Sequence, residues 1–391
     1  MLLFQSLFIY TIAALLLFYL GKSVSFREKQ ILCANGNQLP FFSYEILSSI
    51  IIFASLSGIR YNVGVDHLAY LNIYLDFTKW GFSKHDGLEP GFLYISNLFS
   101  SLNIHFFFWF FFWGALQIGF VYYAFRNNKY LIPYLGLCIM LGSYYLDWMN
   151  GIRQCVAMCA FVFIIEYSWK KKFLTYLFFI LLASTIHKSA LILIPLYFIL
   201  QINTKLTNRY LLLSLAFICA YLGNNPTWLN SISYFENFLQ VLGYDAYSSR
   251  LDYIVEETLN AMNWGPGRIS IFVIGLVIIW FYPLVLNTFV NQRKKLQAYF
   301  LMFIIGFFSY NLFANTSHIF LRPIMYFTVF TLPLSAFVLY TLKIKKKHYS
   351  YVMFLMLACS NIYINILKTA ILPYDFKTDT TYFKFFWDYM L

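Results

Sequence analysis

Long apolar stretches alternate with short polar segments along this chain. An α-helix needs about 20 apolar residues, at ~1.5 Å each, to cross the ~30 Å hydrocarbon layer of a bilayer. The pattern predicts twelve such helices, near residues 2–20, 41–58, 104–124, 130–147, 150–168, 173–187, 188–202, 210–222, 268–290, 296–314, 320–342 and 349–369. We therefore expect an all-α, polytopic membrane protein with a single transmembrane domain over residues 1–391. The first stretch lacks the basic start and small-residue cleavage site of a signal peptide, so we expect it to be retained.

The composition excludes a water-soluble protein. The chain is 61% hydrophobic and 11% charged, whereas soluble domains carry roughly 25% charged residues. The sequence contains no GxxxxGK[ST] loop and no HExxH or DxD motif, so we expect no metal, no cofactor and no direct use of ATP. Its six cysteines lie in apolar stretches or beside basic segments, which predicts no disulfides. Cys155 and Cys159 share one helix face and are predicted to be packing residues.

The charge distribution predicts which side of the membrane each loop faces. Of the 28 basic residues, 17 fall in six short segments, which the positive-inside rule places in the cytoplasm. These residues are Lys22, Arg27, Lys29, Arg126, Lys129, Lys170, Lys171, Lys172, Lys205, Arg209, Arg293, Lys294, Lys295, Lys343, Lys345, Lys346 and Lys347. Most acids fall in the alternate segments, and only Glu28, Glu45 and Glu166 lie on the inner side. We therefore expect both termini outside, and we interpret the net charge of +12 as a topology signal rather than a sign of nucleic-acid binding.

The outer face is predicted to be the working face. Two outer segments, 59–103 and 223–267, are long for plain connections and are expected to bind or catalyse, while the aromatic and charged tail 370–391 is expected in the interface. The segment 173–202 has basic residues at both ends, so the chain must go out and back within about 30 residues. Each arm reaches only ~22 Å, which places the turn at His187 below the outer surface. Polar groups at that depth, there and in the turn 147–154, predict a cavity that opens outward.

Arginines mark the same outer face. Arg153, Arg268 and Arg322 begin predicted helices, where the positive end of the helix dipole disfavours a cation unless an anion binds, and Arg60 ends the second helix. A phosphate would use both the guanidinium groups and the free backbone N–H groups. Snorkelling to lipid headgroups, or pairing with acids, is the alternative. We favour an anionic, lipid-borne ligand because these arginines share a face with the sunken His187 turn.

Acid–base and sugar-binding candidates also lie on this face. Candidate general bases are Asp66, His67, Glu89 and His187, and the sequence alone does not choose among them. Plain solvation is the alternative for the loop acids. Aromatic residues in 223–267 predict a carbohydrate platform, or alternatively an interfacial belt. These residues are Trp228, Tyr244, Tyr247, Tyr253 and Trp264.

Four short motifs resemble those of the EpsG-like family. They are GIRYNVGVDH (58–67), EPGF (89–92), NGIRQ (150–154) and HKSA (187–190). They resemble the family's GxRYxVGxDY, EPG[FY], NxxRQ and HxSA, and their order and spacing agree from about 58 to 195. The chain departs from the pattern at His67, where the family usually has tyrosine, and this leaves the role of His67 open.

The family is similar to the Wzy polymerases of O-antigen and capsule assembly. The resemblance implies a GT-C-like helical fold and a glycosyltransferase that works without metal or nucleotide sugar on the outer face of the bacterial plasma (inner) membrane. Such an enzyme joins undecaprenyl-diphosphate-linked oligosaccharide units into O-antigen, capsular polysaccharide or exopolysaccharide. Undecaprenyl diphosphate is released, and a chain-length regulator protein is the expected partner.

The resemblance and the residues together suggest individual roles. Asp66 or His187 would be the base, and Glu89 would orient the acceptor. Cations would stabilise the diphosphate leaving group, while polar and aromatic residues would contact the sugars. The predicted diphosphate-binding residues are Arg60, Arg153, Lys188, Arg250, Arg268 and Arg322. The predicted sugar contacts are Asn150, Gln154, Tyr244 and Tyr247.

Three other functions would use similar features. A lipid-linked oligosaccharide flippase would place charges along the membrane midplane and on both sides, whereas polar residues here concentrate outside. A membrane acyltransferase would need an acyl donor from the cytoplasm, whereas His187 is predicted on the outer side. An O-antigen ligase would share the chemistry with a different acceptor, and only the order of the motifs favours the polymerase over it.

Overall fold

The computed structural model describes residues 2–81, 87–201, 208–224, 264–313, 318–371 and 379–388. The helices form two compact units, one of Met1–Ile202 with Ser335–Leu391 and one of Asn203–Leu334. The first unit begins with α1 (Leu2–Asn35), α2 (Tyr44–Ile59), α3 (His67–Trp80), α4 (Pro90–Ser101), α5 (Phe106–Ala124), α6 (Ile132–Leu141), α7 (Tyr144–Asn150), α8 (Ile152–Ile164), α9 (Glu166–Trp169), α10 (Phe173–Ser184) and α11 (Leu196–Ile199). The second unit contains α12 (Arg209–Gly223), α13 (Pro266–Thr288), α14 (Arg293–Phe313) and α15 (His318–Thr328). The helix α16 (Thr331–Ile344) leads back into the first unit, which ends with α17 (His348–Ala358) and α18 (Asn361–Ile371).

The protein is a helical membrane protein with fewer long spans than the sequence predicts. Six helical stretches among the described residues are long and apolar enough to cross a membrane: Leu2–Ala34, Phe106–Ala124, Ile152–Trp169, Pro266–Thr288, Val290–Phe313 and Leu321–Ile344. The pair α17 and α18, bent by 43°, would make a seventh. The prediction of twelve spanning helices is therefore not supported by helix length.

The other five predicted passes coincide with apolar helices of 10–17 residues. They are Tyr44–Ile59, Lys129–Leu141, Phe173–Ser184, Lys188–Ile199 and Arg209–Gly223. Hydropathy overestimates the length of such helices because it does not detect breaks in the backbone within an apolar stretch. Ser143, for example, adopts a positive φ of 73° between α6 and α7, and Pro195 precedes α11.

Each acid predicted on the inner side is neutralised by a basic residue predicted on the same side. The ion pairs are Arg27–Glu45 at 2.8 Å, Lys129–Glu28 at 2.6 Å and Arg126–Glu166 at 2.7 Å. Two of these pairs involve the last turns of α1. They explain why α1, predicted to end near residue 20, continues as a helix to Asn35: its charged residues have partners, so the chain need not leave the helix to solvate them.

The segment 59–103, predicted as a loop, contains the two helices α3 and α4 within its described residues. One face of α3 buries Tyr70, Leu71, Tyr74 and Phe77, which share an aromatic core cluster with Phe92 of α4 and Trp109 of α5. The aromatic side chains thus fold back onto the bundle instead of forming an open loop. Most of the second predicted loop, residues 225–263, lies outside the described residues.

The helices α2 and α5 pack closely through small residues. A Cβ atom at Gly114 of α5 would lie 2.7 Å from the Cβ of Ser57 on α2. The Ser57 hydroxyl donates to the backbone oxygen of Phe110 at 3.1 Å, which joins the two helices across the close approach. Small residues allow helix backbones to approach in this way inside membranes, where apolar burial alone does not drive association.

We predict that Gly114→Ala destabilises the protein, whereas Gly119→Ala on the same helix does not. The methyl group at position 114 would collide with Ser57, which should lower the free energy of unfolding by about 1–3 kcal/mol. A Cβ at Gly119 meets no atom within 4 Å, so alanine there should be neutral or stabilise the helix by about 0.5–1 kcal/mol. Thermal unfolding in detergent measures both, and equal melting temperatures would contradict the close α2–α5 contact.

Candidate active site

The carboxylate of Glu89 joins three of the four sequence motifs. Its Oε1 lies 2.9 Å from Nδ1 of His187 and accepts a hydrogen bond from the backbone N–H of Lys188 at 3.1 Å. Its Oε2 forms an ion pair with Nη1 of Arg153. The Glu89, His187 and Arg153 side chains are 11%, 18% and 21% exposed, so the cluster is largely enclosed but still open to a ligand.

The local sequence explains why Glu89 points at this cluster. Pro90 occupies the first turn of α4, where its missing N–H costs nothing, and Glu89 occupies the N-cap position. The Glu89 side chain makes no capping bond to its own helix, which leaves both oxygens for His187, Lys188 and Arg153. Gly91 allows the close approach: its N–H donates to the backbone oxygen of Thr185 at 2.8 Å, and a Cβ there would lie 2.4 Å from the Thr185 hydroxyl oxygen.

His187 sits at the turn of a short helical hairpin. The helix α10 ends at Ser184, and a 3-10 helix, Lys188–Leu193, follows the turn. The two arms are tied together by the Tyr176 hydroxyl, which donates to the backbone oxygen of Leu193 at 2.6 Å. The hairpin is short, as the sequence predicts for 173–202. Its depth in a bilayer stays a prediction.

Arg153 lies in the first turn of α8 and is held from several sides. Its guanidinium packs 5.4 Å from the centre of the Phe92 ring and forms a hydrogen bond with the hydroxyl of Tyr70. Its Nε–H is buried and has no hydrogen-bond partner among the described residues, while the side chain as a whole is 21% exposed. Tyr70 was not a candidate in the sequence. It follows Asp66 by one helical turn, a signal that becomes visible only once α3 is known to be a helix.

The first motif reaches the same region through Gly64 and Asp66. Gly64 has a positive φ of 88°, and a Cβ there would lie 2.8 Å from the backbone oxygen of Met149. Glycine therefore allows the segment to lie against the end of α7. The backbone N–H of Asp66 donates to Oδ1 of Asn150 at 3.1 Å, and the Asp66 side chain acts electrostatically on Tyr70. All four motifs thus meet in one region of the first unit.

Two candidates from the first motif are inaccessible. Arg60 has no exposed surface; its Nε donates to the backbone oxygen of Ser57 at 3.1 Å and its Nη1 to that of Val63. His67 is 1% exposed and stacks on Phe110 at 4.8 Å between ring centres. Burial, with the charge of Arg60 adding to it, holds the pKa of His67 well below its usual range. Their burial favours structural roles for Arg60 and His67. The predicted contact of Arg60 with a diphosphate stays a prediction.

The remaining candidates fall into three groups. Lys188 is exposed beside Glu89, and Gln154 is buried in the first turn of α8. Arg268, 4.5 Å from the ring of Trp264, and Arg322 belong to the second unit, and their predicted contact with a diphosphate stays a prediction. Residues outside the described ranges are Trp228, Tyr244, Tyr247, Arg250 and Tyr253. Within the described ranges no three His, Cys, Asp or Glu side chains come together as a metal site.

The electrostatics of the cluster keep Glu89 ionised. Burial alone would raise the pKa of Glu89, but the hydrogen bond from His187, the charge of Arg153 and the N–H of Lys188 together lower it to about 2. The Glu89–Arg153 pair is neutral, so Lys188 adds a positive charge beside it. An ionised Glu89 with so low a pKa is a poor proton acceptor near neutral pH, whereas it can orient the imidazole of His187.

The comparisons with known proteins identify a family. A model of the EpsG family matches residues 44–376, which include all four motifs and most of the chain. Searches of the curated proteins and of the solved structures found no match.

We predict that Glu89→Gln lowers thermal stability in a pH-dependent way. The lowered pKa means that ionised Glu89 stabilises the fold above the usual carboxyl pKa of 4.5, and that this contribution is lost as the pH falls toward 2. It should amount to about 3 kcal/mol near neutral pH and fall by more than half at pH 3. Melting temperatures of both proteins from pH 7 to pH 3 test this, and a constant difference would contradict it.

We predict that Tyr70→Phe impairs activity while Tyr74→Phe does not. Both hydroxyls are on α3, one turn apart, but Tyr70 bonds Arg153 whereas Tyr74 donates to the backbone oxygen of Ile104. Losing a hydrogen bond to a charged group should slow turnover about 10- to 100-fold. Turnover rates of the two purified variants, compared at matched stability, test this prediction. Equal rates for the two variants would show that Tyr70 is not part of the site.

Proposed function

The chain belongs to the EpsG family, and on this premise we propose that it is a membrane glycosyltransferase that polymerises polysaccharide. It joins undecaprenyl-diphosphate-linked oligosaccharide units on the outer face of the bacterial plasma membrane, as in O-antigen, capsule or exopolysaccharide assembly. The observation that supports this most is the meeting of Glu89, Arg153 and His187, from three separate motifs, at one partly open cluster. Such a cluster offers both a base and cations for a diphosphate.

His187 is the general base in this proposal. When the Nδ1–H of His187 donates a hydrogen bond to Glu89, the neutral imidazole carries its free lone pair on Nε2. That nitrogen accepts the proton of the acceptor sugar hydroxyl as the hydroxyl oxygen attacks the anomeric carbon of the donor. Glu89 holds the tautomer and stabilises the imidazolium that forms, a role that carboxylates play for histidine bases in other enzymes. Asp66 is left to bind the acceptor.

Arg153 and Lys188 stabilise the leaving group. The bond between the anomeric carbon and the diphosphate oxygen breaks as the new glycosidic bond forms, so negative charge grows on the diphosphate. Cations placed where charge develops are worth about 10²- to 10³-fold in rate. The partly exposed guanidinium of Arg153 and the exposed Lys188 are suited to this task. In this proposal Asn150 and Gln154, which belong to the same motif as Arg153, contact the sugars.

The proposal is tested with purified protein and lipid-linked repeat units from its own host, without nucleotide sugars or added metal, in the presence and absence of the host's chain-length regulator. A ladder of increasing repeat number on a gel supports a polymerase. Labelled lipid-linked sugar that crosses liposomes without any ladder would contradict it and favour a flippase. Transfer of the glycan to an acceptor lipid without growth of the chain would favour a ligase.

We predict that His187→Ala and Arg153→Ala slow ladder formation about 10²-fold or more, since removing a general base or a charge-stabilising group has effects of this size. The matched controls are His348→Ala and Arg293→Ala, which remove an exposed histidine and an exposed arginine far in sequence from the motifs. Both controls should polymerise at the wild-type rate. Wild-type ladders from either site variant would remove that residue from the mechanism.

A further inference from the structure

The segment 379–388 runs between α1 and the first motif and bonds to both. Toward α1, the backbone N–H of Phe383 donates to Oγ of Ser6 at 2.8 Å, and its oxygen accepts from the Gln5 amide at 3.3 Å. The Tyr10 hydroxyl donates to the backbone oxygen of Thr381 at 3.1 Å. The Phe383 side chain is fully buried, with its ring 5.9 Å from that of Tyr10.

The opposite edge of the segment bonds to the first motif. The backbone N–H of Tyr61 donates to the oxygen of Lys384 at 2.8 Å, and that of Gly64 to the oxygen of Thr380 at 3.0 Å. Arg60 and Phe385 form an antiparallel bridge. Residues 381 and 383 thus bond to α1, while residues 380 and 384 bond to the first motif; the segment begins and ends with short 3-10 helices, Asp379–Thr381 and Phe386–Asp388.

The first motif is therefore held between two surfaces. On one side lies the segment 379–388. On the other, Gly64 lies against Met149, and the N–H of Asp66 bonds to Asn150. Without the segment, the N–H groups of Tyr61 and Gly64 would lose their partners, and buried unpaired N–H groups are costly.

We propose that residues 379–388 form a strap that positions Asp66 for the reaction. The strap and the part of α1 that anchors it lie outside the residues 44–376 matched by the family model, so the motif is completed by two segments that the family match does not include. Arg60, buried under the strap, holds the turn from inside by bonding Ser57 and Val63. The proposal rests on the proposed function, because Asp66 is taken to bind the acceptor.

The test loosens the anchor without removing the strap. Ser6→Ala with Tyr10→Phe deletes one acceptor and one donor on α1 that bind the strap. The control is Thr11→Val, which removes the hydrogen bond of Thr11 to the Tyr363 hydroxyl on α18 and leaves the strap contacts in place. Hydrogen exchange at the amides of Tyr61 and Gly64 is measured in all three proteins, together with kcat and KM for ladder formation. Kinetics are repeated with Asp66→Asn as background.

We expect exchange at Tyr61 and Gly64 to become about 10-fold faster in the double variant, with kcat several-fold lower and the control unchanged. In the Asp66→Asn background the double variant should cause no further loss, because the strap acts through Asp66. The proposal would be overturned by unchanged hydrogen exchange at Tyr61 and Gly64. It would also be overturned if the double variant lowered kcat as much in the Asp66→Asn background as in the wild-type protein. If the wild-type protein makes no ladder, the proposed function fails, and the exchange result alone decides whether the strap holds the motif.

Discussion

A charged side chain inside an apolar helix bundle must find a partner, and in this protein the carboxylate of Glu89 meets that requirement for three separate stretches of chain. It binds Arg153 at the start of α8, the ring of His187 at the hairpin turn and the N–H of Lys188. Because each partner would otherwise be a poorly satisfied polar group at the edge of an apolar core, the arrangement is strongly specified. The same contacts that hold α4, α8 and the hairpin together bring the imidazole of His187 and the guanidinium of Arg153 to one carboxylate.

The same constraint organises the rest of the charged residues. Five ion pairs within the described ranges each join two residues that the charge pattern assigns to one side of the membrane. The helix α1 reaches both the residues predicted outside and those predicted inside. Near its start Ser6 contacts the strap beside the first motif, and near its end Glu28 pairs with Lys129. These two positions are about 33 Å apart along a helix, close to the hydrocarbon thickness of a bilayer. This spacing is what two polar faces separated by a membrane would require.

Much of this could be read from the sequence, and the remainder has identifiable physical reasons. The apolar stretches predict a helical membrane protein, and three of the four motifs contain the residues that meet at Glu89. The twelve spans were too many because hydropathy does not detect breaks such as Ser143 and Pro195. The helices α3 and α4 were missed because their aromatic faces look like an interfacial loop until Trp109 provides a surface for them. Arg60 and Arg153 look alike in the sequence, since both belong to motifs. The structure distinguishes them, because Arg60 is fully buried whereas the Arg153 side chain is 21% exposed.

The central claim is that Glu89 and His187 act as one unit, with the carboxylate orienting the base. A double-mutant cycle on ladder formation tests it most directly, using Glu89→Gln, His187→Ala and the two together in purified protein. Residues that act as a unit give strongly non-additive losses. We expect the double variant to be no slower than His187→Ala alone, because an orienting carboxylate has nothing to orient once the imidazole is gone. Losses that multiply would mean that the two residues act independently and would contradict the claim.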